Sequence, residues 1–184
     1  MPTPDNEVGW VLLAQSHDRD ALESLLRSAL PSLQRYLGKL IGPEHVDDIS
    51  QEVLIVVCRK IGWLRRADMF RPWLFRIASR SAFRYLRKEK RWSDQVRNPE
   101  ILDEVTTPHP PPLDRVHELL AAAQRVSPAS RAVLTLHFEE GLTLPEIAAA
   151  LELPLGTVKS RLAYGLSTLR KQMEIEEPHH DGTQ

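Results

Sequence analysis

A single cysteine, Cys58, is all that the 184-residue chain offers, which excludes an internal disulfide framework and a cysteine-built zinc site. Lying in a helical stretch, Cys58 is expected to act as a small apolar filler. No uninterrupted apolar run approaches the ~18 residues that a membrane span needs. The N-terminus also lacks the basic and apolar blocks of a signal peptide. Both absences point to a cytoplasmic protein without membrane insertion. Almost no segment alternates as a strand would, so an all-α fold is expected. There is no nucleophile–base set, phosphate loop or metal constellation, so neither an enzyme nor a cofactor is implied. The adjacent His179 and His180 lie in a polar tail, where two histidines alone do not make a metal site.

Net charge is almost absent too: 24 Lys and Arg against 25 Asp and Glu leave −1. That balance hides a strong local asymmetry. Between Arg59 and Arg91 twelve bases face only Asp68 and Glu89, a local charge of +10. Such a segment suits a polyanion or an acidic partner.

What the chain does have is helical periodicity. Helices are expected over residues 6–15, 18–40, 44–61 and 69–91, then 113–125, 128–140, 144–151 and 155–173. In the second, Leu22, Leu25, Leu26, Leu33 and Leu37 form the core stripe and Pro31 is a candidate kink. Residues 92–112 break the pattern with Pro99, Pro108, Pro110, Pro111 and Pro112. That composition reads as a partly extended linker. It divides the chain into an N-terminal helical domain over 1–91 and a C-terminal one over 113–173, with a disordered tail over 174–184.

The segment TLPEIAAALELPLGTVKSRLAYGLSTLR, Thr143 to Arg170, is the most specific. Thr143 followed by Glu146 forms a capping box, and Pro145 lies in the tolerant first turn. Ile147, Ala148 and Leu151 are expected to face inward. A turn at Leu153-Pro154 leads into a second helix with Val158, Leu162, Leu166 and Leu169 on one face. Thr157, Lys159, Ser160, Arg161 and Tyr164 lie away from that stripe. Arg and Lys can reach guanine edges or phosphates, and the hydroxyls can reach either. This is a helix-turn-helix with its second helix dressed for a DNA groove.

The order GLTLPEIAAALELPLGTVKSRL resembles region 4 of bacterial sigma factors, above all the small extracytoplasmic-function type. By that resemblance the surface from Leu155 to Tyr164 reads the promoter −35 element, and the domain touches the flap of the polymerase β subunit. Upstream, VDDISQEVLIVVCRKI resembles sigma region 2.2. There Ile49, Val53, Val56 and Lys60 mark one side of a helix, and Asp47, Asp48, Gln51 and Glu52 occupy the remainder. The resemblance docks that polar surface on the clamp helices of the β′ subunit.

FRPWLFRIASRSAFRYLRKEKR resembles region 2.4. Phe70, Leu74, Ile77, Ser81 and Tyr85 share its buried side, while Arg76, Arg80, Arg84 and Arg87 form a separate stripe. Like charges so spaced repel by a few tenths of a kcal/mol per pair, ~0.2–0.5 in an isolated helix. An anionic partner explains the stripe better than solubility does. The resemblance implies capture of the −10 element as single strands, with Trp63 stacking on an unpaired base and the arginines holding the backbone. Trp73 reads as core.

Several positions depart from the family pattern. Arg80 and Arg84 stand where Asn and Asp are common, and Glu152 replaces the usual glycine of the helix-turn-helix turn. Tyr164 and Leu166 stand where arginines are common. Residues 113–171 carry seven bases against six acids, so weak DNA binding without polymerase is expected of the C-terminal domain. The resemblance therefore implies an extracytoplasmic-function sigma factor that binds core RNA polymerase and promoter DNA and is restrained by an anti-sigma factor. The alternatives are a sigma-like decoy for an anti-sigma factor and a stand-alone helix-turn-helix regulator. The first leaves the +10 segment without a purpose, and the second leaves the region 2 match unexplained.

Overall fold

Residues 4–92 and 126–176 are described in the computed structural model, and no strand occurs among them. The helices are α1 (Pro4–Gln15), α2 (Arg19–Ile41), α3 (Val46–Lys60) and α4 (Phe70–Trp92), then α5 (Pro128–Phe138), α6 (Leu144–Leu151) and α7 (Leu155–Glu176). Short 3-10 turns at Pro43–His45, Ile61–Trp63 and Ala67–Met69 join the N-terminal helices. The expected helix over 113–125, all but the first residue of the expected linker, and the tail beyond Glu176 lie outside the described residues.

Helix boundaries follow local chemistry. The Asp18 carboxylate accepts from the Ala21 amide at 3.0 Å and starts α2. Gly42, at φ 81°, ends it. Pro31 is exposed and does not interrupt α2. Ser127 caps α5, with Pro128 in its first turn, where a missing N–H costs nothing. Both arms of the expected capping box are present at α6: Thr143 Oγ1 accepts from the Glu146 amide, and the Glu146 carboxylate accepts from the Thr143 amide at 2.8 Å. Helix α7 runs to Glu176, three residues past its expected end.

Two expectations about facing need correction. Cys58 is exposed rather than a filler. On α3 the buried residues are Ser50, Val53 and Val57, with Ile49 and Val56 half-buried and Lys60 exposed. In α4 the interior holds Phe70, Leu74, Phe75, Ala78 and Ala82, with Ser79 and Ser81. Ile77 and Tyr85 are half-buried, because α4 packs against α2 and α3 and also against α6.

One apolar cluster runs through both halves of the molecule. Leu25, Leu33, Tyr36, Leu37, Leu74 and Phe75 are continuous with Ala132, Val133, Leu136, Ile147 and Val158. Each of the leucine, isoleucine, valine and phenylalanine side chains contributes roughly 1.5–3 kcal/mol by leaving water. At its centre Tyr36 and Phe75 meet edge to face, with ring centroids 5.2 Å apart. The Tyr36 hydroxyl lies 2.6 Å from Ser79 Oγ, which donates onward to the Phe75 carbonyl at 2.6 Å. Burial pushes the Tyr36 phenol above its ordinary range, opposed in part by the Ser79 bond.

A second cluster, Val126, Leu134, Leu166 and Leu169, ties α5 to α7. Leu166 is thus core, in keeping with its place on the apolar stripe of α7. Gly165 permits the close approach: a Cβ there would lie 2.7 Å from Leu134 Cδ1 and 3.1 Å from Cγ. Leu134 is fully buried and cannot swing away. Gly165→Ala should therefore lose stability despite its better helix propensity, by roughly 1–2 kcal/mol net of the two effects. Urea denaturation of the two proteins checks this, and an unchanged or raised midpoint would contradict the packing described.

Candidate nucleic-acid and polymerase surfaces

The segment between α3 and α4 projects the most exposed aromatic ring described. Trp63 ends a 3-10 turn and is 77% exposed. Its backbone is held from behind by Gln15 of α1, whose Nε2 donates to the Ile61 carbonyl at 3.0 Å and the Leu64 carbonyl at 2.7 Å. The Lys60 ammonium lies 5.9 Å from the Trp63 ring centroid. An indole on a pinned turn with a cation beside it can stack on a flat, electron-rich partner such as a nucleobase. Gln15 was invisible to sequence reasoning, since nothing in the pattern of α1 announces a partner almost fifty residues away.

Along α4 the four arginines do not share one environment. Arg76 is half-buried and, with Leu64, Met69, Pro72, Trp73 and Ala149, lines a cleft of ≈ 130 Å³ between α4 and α6. Trp73 is half-buried rather than fully core. Arg80 makes a forked pair with Glu152, Nε to Oε2 at 2.9 Å and Nη2 to Oε1 at 2.5 Å. Arg84 pairs with Glu52 of α3 and also donates to Ser81 Oγ at 3.2 Å. Arg87 is exposed. The expected DNA stripe and the expected polymerase face thus meet directly at Arg84 and Glu52. The rest of that face, Asp47, Asp48 and Gln51, is exposed on α3, and Asp47 accepts from Gln34 Nε2 at 3.0 Å.

On α7, Lys159, Ser160 and Tyr164 are exposed, and Thr157 and Arg161 are half-buried. Ser160 Oγ donates to the Thr157 carbonyl at 3.1 Å, a local bond that a base or phosphate can replace. Leu155 at the helix start is 40% exposed, giving this face an apolar edge. Glu152, in the turn before it, has φ 56° and ψ 45°. Such left-handed backbone suits glycine and costs a residue with a Cβ about 1–2 kcal/mol. The Arg80 bonds hold the Glu152 carboxyl below its usual range, with Arg76 adding to the effect. Sign follows: the pair is complete above the unpaired carboxyl value and is lost as pH falls through the lowered one.

Further ion pairs join α2 to the end of α5. Arg35 reaches Glu140 at 2.8 Å, Lys39 pairs with Glu139, and Arg131 Nη1 donates to the Lys39 carbonyl at 2.8 Å. The Glu139 and Glu140 side chains are almost wholly buried, while Arg35 remains half-exposed. Desolvation cancels much of the attraction in such pairs, so they add little net stability.

Among the described residues no group of three or more His, Cys, Asp or Glu could hold a metal ion, and no helix is long and apolar enough to cross a membrane.

The family models named Sigma-70 region 2 and Sigma-70, region 4 match residues 25–92 and 122–171. The ECF RNA polymerase sigma factor SigE of Mycolicibacterium smegmatis is 31% identical over 176 residues, spanning 90% of this chain and 68% of that protein. SigX of Bacillus subtilis, also an ECF sigma factor, is 31% identical over 156 residues, 78% of each chain. The chain belongs to the extracytoplasmic-function (ECF) RNA polymerase sigma factors. Its fold is theirs as well. The structure of CnrH in complex with the cytosolic domain of CnrY aligns with TM-score 0.65 at 22% identity, over 94% of this chain and 99% of that one. The sigma factor RpoE of Bartonella quintana, in complex with the anti-sigma factor NepR, aligns with TM-score 0.65 at 23% identity, over 84% and 98%. In this sigma factor Trp63 and α4 fall in the region 2 match, and the helix-turn-helix of α6 and α7 falls in the region 4 match.

Proposed function

We propose that the chain directs transcription initiation in the cytoplasm by docking on core RNA polymerase and recognising both elements of a promoter. The observation that supports this most is the presence of both sigma regions, in order, in one chain. Residues 1–91 form the domain that meets polymerase and the −10 element, and residues 113–173 form the −35 domain. Residues 92–112 link them, and the tail begins beyond α7. Asp47, Asp48, Gln51 and Glu52 meet the β′ clamp helices. Trp63 stacks on an extruded −10 base, with Arg76, Arg80, Arg84 and Arg87 along the strand's phosphates. Unstacking a base costs a few kcal/mol, and capture by an exposed indole offsets it. Thr157, Lys159, Ser160, Arg161 and Tyr164 enter the −35 groove, and the same domain touches the β flap. The chemistry is binding rather than catalysis, and an anti-sigma protein regulates it.

The test is reconstitution. Purified chain added to sigma-free core polymerase should start transcripts at specific sites in a genomic promoter library, and no polymerase binding would overturn the proposal. Arg161→Ala should lower discrimination at the −35 element by about 1–3 kcal/mol, or roughly 5- to 150-fold, if the guanidinium reads a base edge. Unchanged output and unchanged promoter choice would remove Arg161 from the reading face.

A further inference from the structure

The fold brings Arg80 of α4 together with Glu152 in the turn of the helix-turn-helix. They are 72 residues apart in sequence, yet they form a fork in which both carboxylate oxygens face the guanidinium. Bidentate geometry of this kind is what a guanidinium offers a phosphate as readily as a carboxylate. Glu152 holds its position from a left-handed backbone that would suit glycine better. Around the pair, α4 and α6 form the most extensive helix contact between the two halves. Ala149 of α6 stands over Pro72, Trp73 and Arg76 on the surface of α4. The described chain is thus closed, with the first helix of the helix-turn-helix lying on the basic helix.

We infer that Glu152 is a built-in stand-in for a backbone phosphate: it plugs the Arg80 site on α4 from the helix-turn-helix turn, so that single-stranded nucleic acid must displace the carboxylate to reach the guanidinium. The inference takes from the proposed function only that α4 meets DNA. Its energetic scale is modest, because both side chains are partly exposed, at 65% and 45%. A pair of that kind is easily displaced, as a plug removed by a polyanion has to be.

The test uses the full chain without polymerase. Anisotropy titration with a labelled oligothymidine of about twelve nucleotides reads the Arg80 site, and small-angle X-ray scattering reads closure. Glu152→Gln keeps the side-chain length and removes the charge. Glu152→Gly also relieves the backbone, so poor folding is not an expected complication. Both should bind the oligonucleotide roughly three- to fivefold more tightly than the native chain, in line with the small net worth of a partly exposed pair, and both should keep the native radius of gyration, because the apolar cluster joining the halves is intact. On an Arg80→Ala background, Glu152→Gln should add almost nothing. The charge swap R80E/E152R should keep the native scattering profile and gain no oligonucleotide affinity.

Equal affinity of Glu152→Gln and the native chain overturns the inference. So does a gain that persists on the Arg80→Ala background, which would be a general charge effect. Tighter binding that comes with a larger radius of gyration rejects the plug as well, because the gain would then come from an opened fold. Initiation assays with core polymerase are read separately. A native chain that fails there counts against the sigma role, while the plug stands or falls on binding and scattering.

Discussion

Replacing Phe75 by Ala is expected to lower stability by about 3–5 kcal/mol, the usual range for removing a buried phenyl ring. The ring is fully buried, packs edge to face on Tyr36, and sits where α4 meets α2. Little around it can collapse into the space, because Tyr36 is itself anchored through Ser79. With a typical domain stability of roughly 5–15 kcal/mol, the loss removes a large part of the total. Chemical denaturation followed by circular dichroism should show a much lower midpoint. The apolar cluster joins both halves, so the two regions should unfold in one transition; a loss below about 1 kcal/mol would mean the ring is not the centre of the core. Phe75→Leu, which keeps most of the volume, should recover most of the difference.

Trp63→Ala separates function from folding in the opposite sense. At 77% exposure the indole supports no core contact, so stability should stay within about 0.5 kcal/mol of the native value. Promoter melting should suffer heavily. Loss of one base–aromatic stack is worth about 1–3 kcal/mol, roughly a 5- to 150-fold drop in open-complex stability. Permanganate footprinting of the −10 region in the reconstituted holoenzyme measures it, with polymerase affinity as the control. Normal melting by this variant would move the stacking role elsewhere. Gln15→Ala should produce a weaker form of the same defect, because it frees the turn that aims the indole.

Much of the candidate site's local structure was legible from pattern, and the reason is range. Caps, 3.6-residue periodicity and the Thr143–Glu146 box depend on residues within a turn or two, so they appear in the chain as written. The same holds for the prominence of Trp63, which sits between helical segments with no apolar stripe to join. Where expectations slipped, a second packing surface had intervened. Ile77 of α4, read on the buried side, was left half-buried between neighbours on two sides.

By itself the sequence determined the helices, their caps, and the two motif sets whose order identifies an ECF sigma factor. Only the tertiary structure decided what the charged residues touch. Arg80 and Glu152 read separately as two unrelated departures; across a proline-rich linker their pairing depends on which helix faces meet, and no periodicity encodes that. Arg84 likewise read as a DNA contact and Glu52 as a polymerase contact until α3 and α4 placed them side by side. Short-range hydrogen bonds and helical phase are written into neighbouring residues. Long-range ion pairs are set by how packed apolar faces bring the surfaces above them together, and that is a property of the folded chain alone.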